Sequence, residues 1–146
     1  MKVISVVGTK KTGKTTLVCA LVSSLAKFGK VGTIKNMAGH AVDRGDTYRH
    51  FQAGADVVLG LGQARLKVSR QVGDLSSALA ELERDGMDYA VVEGFKHSSL
   101  PKIVMGDIDV DNALRRVSVE ELCLELVEEI ARMVRGMQDY EIGDRK

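Results

Sequence analysis

The chain has 146 residues, of which 45% are hydrophobic and 28% charged, a composition typical of a globular domain with its own core. A net charge of +1 excludes a broad basic surface for nucleic acid, and the longest uncharged apolar stretch, residues 15–26, is too short to span a membrane. The first predicted strand begins so close to Met1 that no signal peptide is expected. Cys19 and Cys123 are predicted to be buried free thiols, which favours a cytoplasmic location.

The chain opens with a predicted strand, a glycine-bearing loop and a helix. Residues 3–7 form a β-branched apolar run that predicts a buried strand. Apolar residues recur at helical spacing from Leu17 to Phe28, and Gly29 is predicted to end this helix. Between the two, residues 8–15 fit the pattern G-x-x-x-x-G-K-[ST], which in this setting predicts a phosphate-binding loop.

The residue types of this loop match what phosphate binding requires. Glycines at both ends let the backbone curl with positive φ and approach an anion, so that the amides between them point inward. Lys14 is predicted to contact the β- and γ-phosphates, and the Thr15 hydroxyl is predicted to ligate Mg²⁺. The predicted phosphate-binding residues are Gly8, Thr9, Lys10, Lys11, Thr12, Gly13, Lys14, Thr15 and Thr16.

The middle of the chain is predicted to contain a strand, a loop, two helices and a β-hairpin. Residues 31–35 are predicted to form the second strand, 36–46 a polar loop and 46–53 a short helix. Two apolar runs within residues 56–72 predict a β-hairpin. Asp74 can cap the next helix, which Gly86 ends.

Two further strands and a terminal helix are predicted in the last third of the chain. Residues 89–92 and 103–105 are apolar runs typical of buried strands. Ser118 and Glu121 form a capping box, and the helix that they open is predicted to reach about Val134. From Met137 onward we expect a polar tail that frays.

Strands that alternate with helices predict an α/β fold of the P-loop NTPase type. Its sheet is expected to be doubly wound and mainly parallel, with the β-hairpin in addition. We expect one nucleotide-binding domain over residues 1–137, followed by the tail at 138–146.

Position along the sheet separates two acidic residues. Ligands bind at the carboxyl ends of parallel strands, and Asp88 precedes the strand at residues 89–92 whereas Glu93 follows it. About 16 Å of strand separates them, so only Glu93 is predicted to lie near the phosphates. We therefore predict that Glu93 positions Mg²⁺ or its water; the alternative is an exposed acid at a strand end.

A second polar group follows the second strand at the same edge. It comprises Lys35, His40, Asp43, Asp46 and Arg49. These side chains are candidates to engage a γ-phosphate, its metal ion or a second anion, with Asp43 and Asp46 as catalytic candidates beside Glu93. A solvated loop with an Asp46–Arg49 pair is the competing interpretation, and composition leaves both open. Lys96 and Lys102 are weaker candidates for added positive charge, and no structural metal is predicted.

Three blocks of the sequence resemble the molybdopterin-guanine dinucleotide biosynthesis protein MobB family. The first is the phosphate-binding loop through Thr16. The second comprises Ile34-Lys35, His40, Asp43, Gly45-Asp46, Arg49 and Ala53-Gly54-Ala55, and the third comprises Val92-Glu93-Gly94-Phe95-Lys96 with Pro101-Lys102-Ile103. Beyond residue 105 only a terminal helix matches.

The resemblance implies a GTP-binding protein with Mg²⁺ and weak GTPase activity, usually a homodimer. Such a protein assists a partner nucleotidyltransferase that joins GMP to molybdopterin, and molybdopterin is itself a candidate ligand. No nucleic acid or membrane partner is expected. The preference for GTP over ATP follows from the resemblance alone, because the guanine signature N-K-x-D is absent from the sequence.

Some positions depart from the family pattern. Lys10 and Lys11 stand where small residues are common, and they are predicted to attract phosphate or to face a partner. Asn36 replaces a histidine, and Gly106 with Asp107 stands where an arginine is common.

Two other functions fit a P-loop protein of this size. A small-molecule kinase needs a lid with arginines, and Arg115 with Arg116 is the only adjacent pair. A nickel-insertion GTPase of the metallochaperone type needs a Cys/His metal site, which the sequence does not indicate.

Overall fold

The computed structural model of the protein describes residues 1–37 and 45–143, which fall into two compact units. The larger unit comprises Met1–Asn36 and Leu75–Lys146, and the smaller unit comprises Met37–Asp74. Within the described ranges, every helix is too short or too polar to cross a membrane. His40 and Asp43, two of the predicted site residues, lie outside the described residues.

The helices and strands alternate along the chain largely as the sequence predicts. In chain order they are β1 (Lys2–Gly8), α1 (Lys14–Leu25), β2 (Val31–Lys35), α2 (Asp46–Gln52), β3 (Val57–Leu61), β4 (Arg65–Ser69), α3 (Leu75–Arg84), β5 (Tyr89–Glu93), β6 (Lys102–Met105), β7 (Ala113–Val117), a 3-10 turn (Val119–Glu121) and α4 (Leu124–Arg135).

The larger unit is built on a five-stranded sheet in the order β2-β5-β1-β6-β7. All four neighbouring pairs are parallel, so the carboxyl ends of the five strands share one edge. The smaller unit carries the β3–β4 hairpin, whose strands pair antiparallel. The prediction of a mainly parallel α/β fold with a β-hairpin is therefore confirmed.

The central strands β1 and β5 are buried on both faces. Successive side chains of a strand point to opposite faces, so each strand supplies two cores. Ile4, Val6 and Val91 pack in the core that contains α1 and α4, whereas Val3, Ala90 and Val92 pack in the core that contains Leu79 of α3. Burial on both faces explains why these strands appear in the sequence as mainly apolar runs, with Ser5 as the polar exception within β1.

The smaller unit is organised by one face of its hairpin. Val58 on β3 is buried, and Gly60 lies beside Thr47 of α2, so α2 covers this face. Arg70, just after β4, lies over the Phe51 ring at 4.1 Å from its centroid and donates a hydrogen bond to the Ala55 carbonyl. On the opposite face Val57, Leu59 and Leu61 are exposed.

Strand β7 was not predicted from the sequence. Its residues Ala113–Val117 include two arginines, and only Val117 is buried. Because β7 is an edge strand that pairs with β6 alone, it does not need an apolar run on either face. Apolar patterning therefore carries little signal for such a strand.

The helix predicted to begin at Ser118 is interrupted. The capping box of Ser118 and Glu121 is present, but it opens the 3-10 turn rather than α4. Leu122 and Cys123 are extended, and α4 begins only at Leu124. Leu122 packs against the core, whereas Val119, which was expected on the same apolar stripe of a continuous helix, lies against Gly13.

Two predictions about the chain's surface are wrong. The tail after Met137 is held in place as far as Ile142, because the Tyr140 amide donates to the Met1 carbonyl at 2.9 Å and both Tyr140 and Ile142 pack against the core. Hydrogen bonds from Lys2 and the terminal ammonium lower the pKa of Asp139 in this tail. Cys19 and Cys123, predicted to be buried, are both exposed free thiols.

Candidate functional site

The predicted phosphate-binding loop joins the carboxyl end of β1 to the start of α1. Gly13 is the N-cap of α1 and has a φ of 85°, a left-handed conformation that favours glycine. Gly8 is required for a different reason than predicted, since its φ is not positive. A Cβ at Gly8 would collide with the carbonyl oxygen of Met105 on β6, so glycine permits close approach of the two strands.

The start of α1 leaves backbone donors for an anion. The first amides of a helix have no intrahelical partner, and here no side chain caps them. The Lys14 ammonium folds back and donates a hydrogen bond to the carbonyl of Thr9 within the same loop. Lys10 and Lys11 are exposed, and Lys11 has a left-handed φ of 60°. The loop therefore combines open amides with three positively charged side chains, as phosphate binding requires.

Glu93 lies beside the loop, as strand direction predicts. The Thr15 hydroxyl is 3.0 Å and 3.2 Å from the two carboxylate oxygens of Glu93. The Lys35 ammonium lies 3.9 Å from the same carboxylate, and the Lys35 and Glu93 backbones are in register on β2 and β5. With its side chain only 13% exposed, Glu93 is a partly desolvated acid between a hydroxyl and a cation.

Asp88 and Glu93, at opposite ends of β5, have the different environments that the sequence predicts. Asp88 lies before β5 and accepts a hydrogen bond from the Lys30 amide at 2.7 Å, at the opposite end of the strand from Thr15. Glu93 is therefore available to a ligand at the loop, whereas Asp88 fixes the turn that precedes β2.

A buried serine anchors the backbone next to Glu93. Ser5 interrupts the apolar run of β1 and is fully buried, and its hydroxyl donates to the Gly94 carbonyl at 2.8 Å. This bond ties the phosphate-loop strand to the residue that follows Glu93. Sequence reasoning missed Ser5, although a lone polar residue within a buried strand was a usable signal.

The remaining predicted residues that the structure describes lie in three different places along the chain. Asp46 and Arg49 belong to the smaller unit, where they form an exposed pair at 3.8 Å on α2, as the competing interpretation expected. Lys96 is exposed in the loop after β5, and Thr16 lies on the wall of a groove of about 400 Å³ between α1 and the start of α4.

Lys102 does not add charge to a ligand site, which corrects its interpretation as a candidate. It is fully buried, and its ammonium donates to the carbonyl oxygens of Ser98, Leu100 and Asp111 at 2.5, 2.9 and 3.0 Å. Desolvation lowers the pKa of Lys102, and the negative charge of Asp111 partly opposes this shift. Lys102 therefore fixes the loops on either side of β6.

The arginines that a kinase lid would need are engaged elsewhere. Arg115 forms an ion pair with Glu129 of α4 at 2.8 Å. Arg116 donates a hydrogen bond to the Ile108 carbonyl at 2.7 Å. Both side chains thus hold local structure around β7, and neither contact favours the kinase alternative.

The fold and this loop define the chain as an α/β protein with a P-loop NTPase-like fold. Its sequence matches the model of the family described as molybdopterin guanine dinucleotide synthesis protein B over residues 3–127. The chain belongs to this family.

The chain is also similar to a known protein in sequence and to two solved proteins in structure. A putative molybdopterin-guanine dinucleotide biosynthesis adapter protein from Methanocaldococcus jannaschii is 34% identical over 112 residues, which are 72% of this chain and 47% of that protein. The chain thus spans about half the length of this curated relative. The crystal structure of Bacillus subtilis MobB has a TM-score of 0.72 at 20% identity and covers 94% of this chain and 100% of that one. A MobB homologue from Bacillus stearothermophilus has a TM-score of 0.69 at 23% identity, with the same coverage. At such identities these two structures support the fold alone.

Proposed function

We propose that the chain is a GTP-binding accessory protein of molybdopterin-guanine dinucleotide biosynthesis. In this role it binds GTP with Mg²⁺, hydrolyses it slowly and assists a partner nucleotidyltransferase. The observation that carries the proposal is the contact of Thr15 with Glu93 beside an open phosphate-binding loop, in a chain that belongs to the MobB family. The adapter role named for the archaeal relative supports the same conclusion.

The residues around the loop fit a magnesium nucleotide. The Thr15 hydroxyl is a hard oxygen ligand, and the Glu93 carboxylate beside it can hold the metal or its bound water. Mg²⁺ keeps several waters when it binds, so a carboxylate that accepts hydrogen bonds from these waters suits it. Lys14 can exchange the neutral Thr9 carbonyl for a phosphate oxygen, which forms a stronger, charge-assisted bond.

Slow hydrolysis is consistent with the contacts of Glu93. A general base must reach the attacking water with a free acceptor. The two carboxylate oxygens of Glu93 instead lie 3.0 Å and 3.2 Å from the Thr15 hydroxyl, and one of them lies 3.9 Å from the Lys35 ammonium, so neither oxygen is a free acceptor. Glu93 is therefore suited to hold a metal rather than to activate water rapidly. Asp46, one of the other catalytic candidates, is paired with Arg49.

Nucleotide affinity of a Lys14→Ala variant tests the proposal. Loss of a charge-assisted phosphate contact costs about 1.5–3 kcal/mol, or roughly 10- to 150-fold in affinity. Isothermal titration with Mg-GTP should register this loss, with GDP and ATP measured alongside. The matched control is Lys30→Ala, because Lys30 is also exposed but lies at the opposite end of the sheet, beside Asp88. Equal Mg-GTP affinity in the wild type and Lys14→Ala would overturn the proposal.

A further inference from the structure

The side-chain contacts of Glu93 do not suffice to fix its carboxylate. The Lys35 ammonium lies at 3.9 Å and its side chain is 56% exposed, so this ion pair contributes little to holding the carboxylate in place. The Thr15 hydroxyl contacts both carboxylate oxygens, but this hydroxyl is the predicted ligand of Mg²⁺, which a bound metal ion would engage instead. Glu93 is also the last residue of β5. The backbone turn that follows it must therefore set the direction of the carboxylate.

This turn contains two consecutive residues with left-handed backbones. Gly94 has a φ of 94° and Phe95 a φ of 59°. Only glycine fits the first position, because a Cβ there would lie 2.9 Å from Cβ of Asn36. Phe95 has a bulky side chain, and the left-handed conformation of such a residue is disfavoured by about 5- to 30-fold. A strained backbone of this kind persists only where its surroundings enforce it.

Hydrogen bonds from two neighbouring strands fix the first half of the turn. The Gly94 amide donates to the Val6 carbonyl at 2.9 Å, and the buried Ser5 hydroxyl donates to the Gly94 carbonyl at 2.8 Å. The Asn36 amide, just after β2, donates to the Glu93 carbonyl at 2.9 Å. These bonds join the turn to β1, the strand that leads into the phosphate-binding loop, and to the end of β2.

The second half of the turn is anchored by the ring of Phe95. The side chain is half-buried and packs against the core that contains Val92 and Leu100. The Phe95 carbonyl also accepts a hydrogen bond from the Ser98 amide at 2.9 Å. A backbone that relaxed to negative φ would point the ring in another direction and expose it to water. Burial of the ring therefore opposes relaxation of the strained backbone.

We propose that Phe95 is a positioning residue for the metal site. The burial of its ring holds the left-handed turn, and the turn holds the Glu93 carboxylate beside Thr15. Phe95 thus acts through Glu93 and not on the ligand itself. This inference rests on the proposed binding of GTP with Mg²⁺.

Four substitutions of Phe95 separate its anchoring ring from its strained backbone. The measured quantity is the Mg²⁺ concentration that gives half-maximal GTP binding. Phe95→Ala removes the anchor but keeps the strain, so this concentration should rise by about 5- to 30-fold. Phe95→Gly removes the strain together with the ring and should recover most of the loss. Phe95→Asn should behave like Phe95→Gly, because asparagine tolerates a left-handed backbone, whereas Phe95→Leu keeps an apolar anchor and should resemble the wild type.

The matched control is Tyr140→Ala, because Tyr140 packs against the same core as Phe95. This variant should lose stability in thermal unfolding but keep the wild-type Mg²⁺ requirement. A second measurement uses the protein without nucleotide or metal. Exchange of the Gly94 amide hydrogen, which is bonded to Val6, should accelerate by about 5- to 30-fold in Phe95→Ala and should not change in Tyr140→Ala.

Phe95 has no positioning role if Phe95→Gly and Phe95→Asn require as much Mg²⁺ as Phe95→Ala, or if Tyr140→Ala raises the requirement equally. Unchanged exchange of the Gly94 amide in Phe95→Ala would also exclude this role. If Phe95→Ala does not fold, wild-type Mg²⁺ dependence and amide exchange in Phe95→Leu support the role, and their loss in that variant contradicts it. Absence of Mg-GTP binding by the wild type would instead refute the proposed function, and the exchange comparison would still test the turn.

Discussion

Replacement of Glu93 by glutamine tests whether the metal site depends on strand direction. The substitution keeps the shape of the side chain and removes its charge. At about 4 Å two unit charges interact by about 1 kcal/mol in water and by about 4 kcal/mol at the effective dielectric near a protein surface. A divalent ion doubles these values. Since Glu93 retains some exposure, at 13%, we take the aqueous limit of about 2 kcal/mol as the minimum loss.

That loss corresponds to at least about a 30-fold increase in the Mg²⁺ concentration needed for half-maximal GTP binding. The assay is titration of Mg²⁺ into the protein with fixed GTP, followed by calorimetry or by a fluorescent GTP analogue. Asp88→Asn is the matched control because Asp88 lies at the other end of the same strand, β5, where it accepts a hydrogen bond from the Lys30 amide. Its Mg²⁺ dependence should stay within about twofold, since a carboxylate some 16 Å away in water-like surroundings interacts weakly.

The reasoning would be refuted by either of two results. If Glu93→Gln and Asp88→Asn change the Mg²⁺ dependence equally, Glu93 has no special relation to the metal. If neither changes it, the Thr15–Glu93 contact is structural only. Thermal unfolding of both variants separates a metal effect from a loss of folded protein.

Three further predictions concern stability, assembly and a second ligand. Lys102→Met should lower the free energy of unfolding by about 3 kcal/mol, because three carbonyl oxygens lose their donor, and Tm should fall by roughly 6–12 °C. The control is Lys96→Met in the preceding loop, whose free energy of unfolding should stay within about 0.5 kcal/mol of the wild-type value. Equal stability of the two variants would contradict the assigned role of Lys102. Light scattering should give about twice the 15.8 kDa chain mass, because Val57, Leu59 and Leu61 form an exposed apolar face on the hairpin that can pair with a second copy. Leu59→Lys should then dissociate the dimer, whereas Leu124→Lys should not. A wild-type protein that stays monomeric with and without nucleotide would exclude this assembly. Arg49→Lys should lower dinucleotide formation in a reconstitution with the partner transferase, molybdopterin and Mg-GTP, because lysine cannot hold a phosphate with two parallel hydrogen bonds. Its GTP affinity should stay within a few-fold of the wild-type value. Full activity of both Arg49→Lys and Arg49→Ala would leave Arg49 with only its ion pair to Asp46 on α2.

The sequence alone determined the parts of the site that depend on local pattern and strand direction. The loop at residues 8–15 was recognisable because phosphate binding demands glycines and a lysine at set spacing. Glu93 and Asp88 could be told apart because both belong to one buried run, and a parallel sheet gives that run a binding end and a distant end. Both Thr15 and Glu93 were therefore expected at the same edge, whereas their direct contact is known only from the structure.

Elements with weak apolar patterning could not be predicted in this way. Strand β7 is an edge strand, so its five residues need only one buried side chain, Val117. The tail through Ile142 is held by a hydrogen bond from the Tyr140 amide to the Met1 carbonyl and by an ion pair at 3.4 Å between Asp139 and the terminal ammonium. Such contacts join residues at opposite ends of the chain, and no local pattern indicates them.

Tertiary structure alone decided which charges face a ligand and which are consumed by the fold. Lys102 looks like a solvated lysine in the sequence, yet its ammonium is enclosed by carbonyl groups from two separate loops. Val119 looks like a helix residue, yet the break at Leu122 turns it onto Gly13 of the phosphate loop. The physical reason is the same in both cases: the free energy of a buried charge or an apolar contact depends on partners that are distant in the chain, and these partners meet only when the sheet has formed.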